Sequence, residues 1–96
     1  MLIVDDFSSD GTSEYLRKRG YAVIRTPEPK GLTHSWNLGY KIAELLGYSS
    51  VVMSNNDVLI GHSALEILID GLSQSALTVP LTTFYGAGHN PAQVIE

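Results

Sequence analysis

Short apolar runs alternate with longer amphipathic stretches along this chain. Leu2 to Val4 is apolar, brief and bounded by turn residues, the pattern of a buried strand. Ser8-Ser-Asp-Gly11 is turn chemistry, and Ser9 or Asp10 can cap the helix predicted next. Glu14 in its first turn and Arg17, Lys18 and Arg19 in its last complement the helix dipole, with Gly20 as the stop. Tyr21 to Thr26 reads as a second strand. Pro27-Glu-Pro-Lys-Gly31 reads as a loop, because its two prolines cannot donate to a ladder.

Thr33 to Leu46 has helical spacing, with Trp36, Tyr40, Ala43 and Leu46 on one face and Gly47 at the end. Ser50 to Ser54 is expected to be another buried strand. Ser63-Ala-Leu-Glu66 is a capping-box pattern, opening a helix whose expected core face is Leu65, Leu68, Ile69 and Leu72, with Gly71 near its end. Leu77 to Val79 reads as a short strand before Pro80, and Leu81 to Glu96 mostly as loop. The order β-α-β-α-β-α-β predicts an α/β fold of three layers, α/β/α, around a mostly parallel sheet.

Composition narrows the class. Ninety-six residues suit one small domain, and 44% hydrophobic content makes a core feasible. The net charge is −4, and the basic cluster is confined to Arg17-Lys-Arg19, which argues against nucleic acid as a partner. The absence of cysteine excludes disulfides and thiolate metal sites. No apolar stretch reaches the ~18 residues of a membrane span, and acids follow the first apolar residues too soon for a signal peptide. The expected setting is a soluble domain in the cytoplasm. The abrupt start and finish suggest a piece of a larger fold.

Three constellations can carry chemistry. In an open α/β sheet, ligands bind beyond the carboxyl ends of the strands. Asp5 and Asp6, followed by Ser8, Ser9 and Asp10, would stand at such a lip. A dinucleotide fingerprint needs several glycines there, whereas Asp5 to Thr12 offers one glycine and three acids. Bare carboxylates repel phosphate but suit ribose hydroxyls, a base N–H or a metal that itself binds phosphate. Asp10 also fits a simple helix cap, but a carboxylate pair at a strand end needs a partner.

The second constellation is Ser54-Asn-Asn-Asp57, where Asp57 can be the single carboxylate of a Mg²⁺ or Mn²⁺ site with an Asn carbonyl beside it. The same tetrapeptide also fits an Asx turn. The third is Gly31-Leu-Thr-His-Ser-Trp-Asn-Leu-Gly39. Thr33, His34 and Asn37 lie near a helix N-terminus, where an anion such as phosphate could sit. Trp36 fits the core better than a stacking role, and Asn37 is a polar amide inside a helix that wants a partner. His34, His62 and His89 lack zinc-site spacing.

Taken together and in order, these stretches resemble family 2 glycosyltransferases of the nucleotide-sugar-dependent GT-A fold, most closely the rhamnosyltransferase type. The matching stretches are Val4-Asp-Asp-Phe-Ser-Ser-Asp-Gly-Thr12, Gly31 to Ala43 (the family's G-x-x-x-x-x-N-x-G-x-x-x-A) and Met53-Ser-Asn-Asn-Asp-Val58, a variant of its Asp-x-Asp motif. Thr78-Val-Pro80 resembles the next strand, and Gly88 to Ile95 a G-x-x-x-Q-x-I-like run.

The resemblance implies a nucleotide-sugar donor and transfer to a hydroxyl of a glycan or other acceptor. It implies that Asp5, Asp6 and Ser8 hold the base and ribose, that Asn37 braces the donor pocket, and that Asn55 and Asn56 sit near ribose and sugar. It implies Asp57 as ligand to a Mn²⁺ or Mg²⁺ cofactor bridging the diphosphate. It assigns no catalytic residue here, since the family's base lies in a later, acceptor-side segment.

The family also begins one strand earlier, so residues 1–96 are expected to form a single partial GT-A domain. The strands at Leu2–Val4 and Val51–Met53 would then lie beside an open position. They are expected to pair with each other or to join copies of the chain into a homo-oligomer. Two other readings stay open. Met1-Leu-Ile-Val-Asp-Asp6 also resembles the opening of receiver domains, although Asn55 stands where that family has its phosphoacceptor Asp and no Lys follows Leu77–Pro80. The chain could also be a noncatalytic glycosyltransferase-like binding or assembly module.

Overall fold

A parallel pair of strands needs a crossover between them, and the first part of the chain supplies one. The computed structural model describes residues 1–78, 83–84 and 88–89. It divides into two compact units, Met1–Ser54 and Asn55–Glu96. In the first, β1 (Leu2–Asp5) leads through α1 (Thr12–Lys18) to β2 (Ala22–Arg25), and α2 (Leu32–Leu45) follows. The two strands pair in parallel, Leu2 opposite Ala22 and Asp5 opposite Arg25. Helix α1 packs on β2, and α2 packs on β1. This is an α/β arrangement, as expected, with a two-stranded parallel sheet among the described residues.

Both helices of this unit end as expected. Gly20 and Gly47 take φ of 87° and 81°, a conformation that costs glycine little. Each closes a Schellman turn. Gly20 N–H donates to the Arg17 carbonyl and Tyr21 N–H to that of Leu16, and Gly47 and Tyr48 do the same to Glu44 and Ala43. The start of α1 differs by one residue, because Gly11 occupies the N-cap position. Asp10 still serves the helix, its Oδ1 accepting the N–H and hydroxyl of Thr12.

The packed face of α2 is not the expected one. Ser35, Leu38, Gly39, Ile42 and Ala43 are the covered positions, while Trp36, Tyr40 and Leu46 are exposed. Small residues decide this. A Cβ built on Gly39 would lie 3.6 Å from Val4 Cγ2, so the helix backbone comes close to β1 only on this side. Ala43 belongs to both stripes.

Other expectations are corrected. Val51 to Ser54 forms no strand, and Val51, Val52 and Met53 are exposed. A strand is defined by its ladder, and this run belongs to no sheet among the described residues, that of β1 included. In the second unit, α3 (Ala64–Gly71) is present, but Ser63 lies at φ 63° and makes no side-chain cap. The expected capping box is therefore not formed. Leu68 and Leu72 are partly covered, whereas Leu65 and Ile69 are exposed.

Leu77 and Thr78 are not in a strand. Thr78 Oγ1 instead donates to the Leu68 carbonyl at 2.7 Å. Val79 and Pro80, and the run from Asn90 to Ile95, lie outside the described residues. Within the stretch expected to be loop, β3 (Thr83–Phe84) and β4 (Gly88–His89) form a short antiparallel pair. Strands of two residues leave no periodicity to read.

No apolar side chain is fully buried among the described residues. Ile3, Val4, Leu16, Val23, Ile24, Leu38 and Ile42 are half-buried. The most enclosed residues are polar: Ser13 and Thr26 at 2% exposure, Asp5 at 5% and Ser35 at 8%. They occupy the end of β1, the residue after β2, and the opening turns of α1 and α2.

Candidate functional site

The carboxyl ends of β1 and β2 carry the acids, and each carboxylate is tied to a different loop. Asp5 Oδ1 accepts the Ser8 N–H at 3.0 Å, and Oδ2 accepts the Ser13 hydroxyl. Arg25, opposite it in the ladder, brings Nε to 3.9 Å. Burial pushes the Asp5 pKa up, but the bonds from Ser13 and Ser8 and the Arg25 charge outweigh it, leaving the carboxyl below its ordinary value. Asp5 therefore joins β1 to the first turn of α1.

Asp6 serves the other loop. Its Oδ1 accepts the Thr26 hydroxyl at 3.0 Å and the Lys30 N–H at 2.8 Å, and its Oδ2 accepts the Gly31 N–H at 2.7 Å. The Lys30 and Gly31 N–H groups are the main cause of its lowered pKa, helped by Thr26 and the charge of His34 against some desolvation. Gly31 is the N-cap residue of α2. The chain's own carboxylate thus lies just ahead of that helix end, bound to the two N–H groups that precede its first residue. Asp6 is half-buried. Each carboxylate oxygen has about two acceptor positions, so Oδ2 keeps capacity for one more donor.

Ser8 is half-buried, with its carbonyl accepting Arg25 Nη2 at 3.0 Å. Asn37 lies on α2 and is exposed, so solvent can satisfy its amide. The buried polar side chain of that helix is Ser35, whose Oγ has no hydrogen-bond partner among the described residues. Asn55, Asn56 and Asp57 are exposed and belong to the second unit, with Asn56 and Asp57 in a turn. The structure thus gathers Asp5, Asp6 and Ser8 at one lip. Among the described residues, no group of three or more His, Cys, Asp or Glu side chains could hold a metal.

The model of the family described as glycosyl transferase family 2 matches residues 1–94. The chain belongs to glycosyl transferase family 2. No curated protein and no solved structure matched it. Its Val4 to Thr12 stretch forms the β1 lip, and its Asn37-Leu-Gly39 stretch lies on α2, where Gly39 meets Val4.

Sequence reasoning missed Ser13, Thr26 and Arg25, which hold the lip together. A signal existed for two of them. In parallel register Asp5 faces Arg25, so a charged residue and a threonine ending an otherwise apolar strand mark the partners of an acid pair. Ser13 offered no such cue. No helix among the described residues is long and apolar enough to cross a membrane.

Proposed function

We propose that this chain supplies the donor-binding part of a glycosyltransferase. It would take a nucleotide-diphosphate sugar for transfer to an acceptor hydroxyl, on a three-layer GT-A fold. The observation that carries the reading is the family match over residues 1–94. The prebuilt lip formed by its first motif supports it.

In this reading Asp6 meets a ribose hydroxyl or base N–H through the remaining capacity of Oδ2. Asp5 acts from within, holding the Ser8 loop and the first turn of α1 in place. Ser8 borders the nucleotide. Asn37, exposed on α2, braces the donor pocket from its helix, and Asn55 and Asn56 sit near ribose and sugar.

The residues present fit a divalent ion only of a particular kind. Among the described residues there is no protein cage, but Asp57 is an exposed hard oxygen donor. Mg²⁺ is commonly held by one or two carboxylates, with water and substrate phosphates completing the shell. Asp57, with the Asn56 amide oxygen, would hold Mn²⁺ or Mg²⁺ in that way. The ion, when bound, offsets negative charge on the departing diphosphate.

Calorimetric titration with UDP, GDP and dTDP, with and without Mn²⁺, tests the reading. Metal-dependent binding by at least one nucleotide, lost in Asp57→Ala, is expected. Equal binding by that variant would remove Asp57 from the metal role. Binding of none of them would contradict the donor-site reading and favour a noncatalytic module.

A further inference from the structure

Phe7 is an aromatic residue held where few aromatic residues stay. It lies immediately beyond the acid pair with φ 65°, a left-handed conformation that bulky side chains rarely adopt. Its N–H donates to the Asp5 carbonyl at 3.0 Å, which fixes the turn. Backbone strain of this kind persists where surrounding structure over-determines it, and it collects at ligand sites.

The ring is fixed as well. The Arg25 guanidinium lies over it, with Cζ 4.3 Å from the centroid. Arg25 is itself anchored, by its bond to the Ser8 carbonyl at 3.0 Å and its approach to Asp5. Yet Phe7 remains 40% exposed. The guanidinium covers one face of the ring and leaves the residue open to solvent. An apolar, exposed ring held by Arg25 therefore stands at the strand ends, one residue beyond Asp6 in the chain. A planar ligand with an N–H edge offers what each feature takes: a face for the ring and a donor for the carboxylate.

We propose that Phe7, backed by Arg25, is the stacking platform for the nucleobase of the donor. The inference rests on the donor-site reading and adds to it the residue that recognises the base. Base–aromatic stacking tolerates every base, so Phe7 supplies affinity, and the hydrogen-bonding edge discriminates.

The test compares wild type with Phe7→Ala, Phe7→Leu and Phe7→Trp by calorimetry and by proton NMR of the bound nucleotide. Phe7→Ala and Phe7→Leu should weaken binding of the best nucleoside diphosphate about 5- to 150-fold. Binding of inorganic pyrophosphate with Mn²⁺ should stay within twofold, and Phe7→Trp should retain nucleotide affinity. In wild type the base protons should move upfield in the ring current, and Phe7→Leu should abolish that shift.

Unchanged nucleotide affinity in Phe7→Ala and Phe7→Leu would overturn the proposal while leaving the donor site standing. So would an equal loss for pyrophosphate, or an upfield shift on sugar rather than base protons. A wild-type chain that binds no nucleoside diphosphate would overturn the donor-site reading and this inference with it.

Discussion

At the residue scale, the two adjacent acids act first as structural ties. Asp5 is nearly buried, and its oxygens meet a hydroxyl, a backbone N–H and a guanidinium. Replacing it by Ala would leave the Ser13 hydroxyl enclosed without a partner and Arg25 without its counter-charge. Such losses cost about 1–3 kcal/mol, which urea denaturation of Asp5→Ala should read. The pH dependence has a definite sign. Asp5, Asp6 and Asp10 all have pKa values below the ordinary carboxylate value, so the unfolded chain binds more protons and acid favours unfolding. The urea midpoint should be flat from neutral pH down to about pH 5 and fall below about pH 4. The fall should be shallower in Asp5→Ala. A wild-type midpoint that does not respond to acid would contradict these ties.

The positions of the acids were legible, because an apolar run ends on them. Their engagement was not. The partners stand 8 residues on for Ser13, 20 for Thr26, and 24 and 25 for Lys30 and Gly31. Apart from the nearby Ser8 N–H, the carboxylates taken as bare are therefore engaged by groups that only folding brings near.

At the element scale, what was local was readable. Gly20 and Gly47 mark helix ends because the turn conformation belongs to the residue itself. What depends on a neighbour was not readable. Val51 to Ser54 has strand composition but no ladder among the described residues. Helix α2 carries two stripes at helical spacing, and the choice between them is made by how closely β1 can approach. Gly39 is the contact that sets this distance. Gly39→Ala meets Val4 at ordinary van der Waals separation and should be neutral or stabilising by up to about 1 kcal/mol through helix propensity. Gly39→Leu should overpack the interface and cost about 1–3 kcal/mol. Denaturant midpoints of the two variants distinguish them, and a Leu variant as stable as the Ala variant would show that α2 does not rely on this approach.

At the scale of the whole molecule, the family match runs over residues 1–94 and so across both units. The first unit holds the acid lip, and the second holds Asn55, Asn56 and Asp57. The fold class and the family were visible from the order of motifs, while the described sheet is smaller than the alternation of elements predicted. The central claim is that the β1 lip, prebuilt by its own hydrogen bonds, is where a nucleotide-sugar donor binds. The most direct measurement is an amide-resolved NMR titration of the chain with a nucleoside diphosphate and Mg²⁺. The N–H signals of Asp6, Phe7, Ser8, Lys30 and Gly31 should move together and saturate with one affinity. Saturation by the nucleotide with those five signals unmoved, whatever else shifts, would contradict the claim.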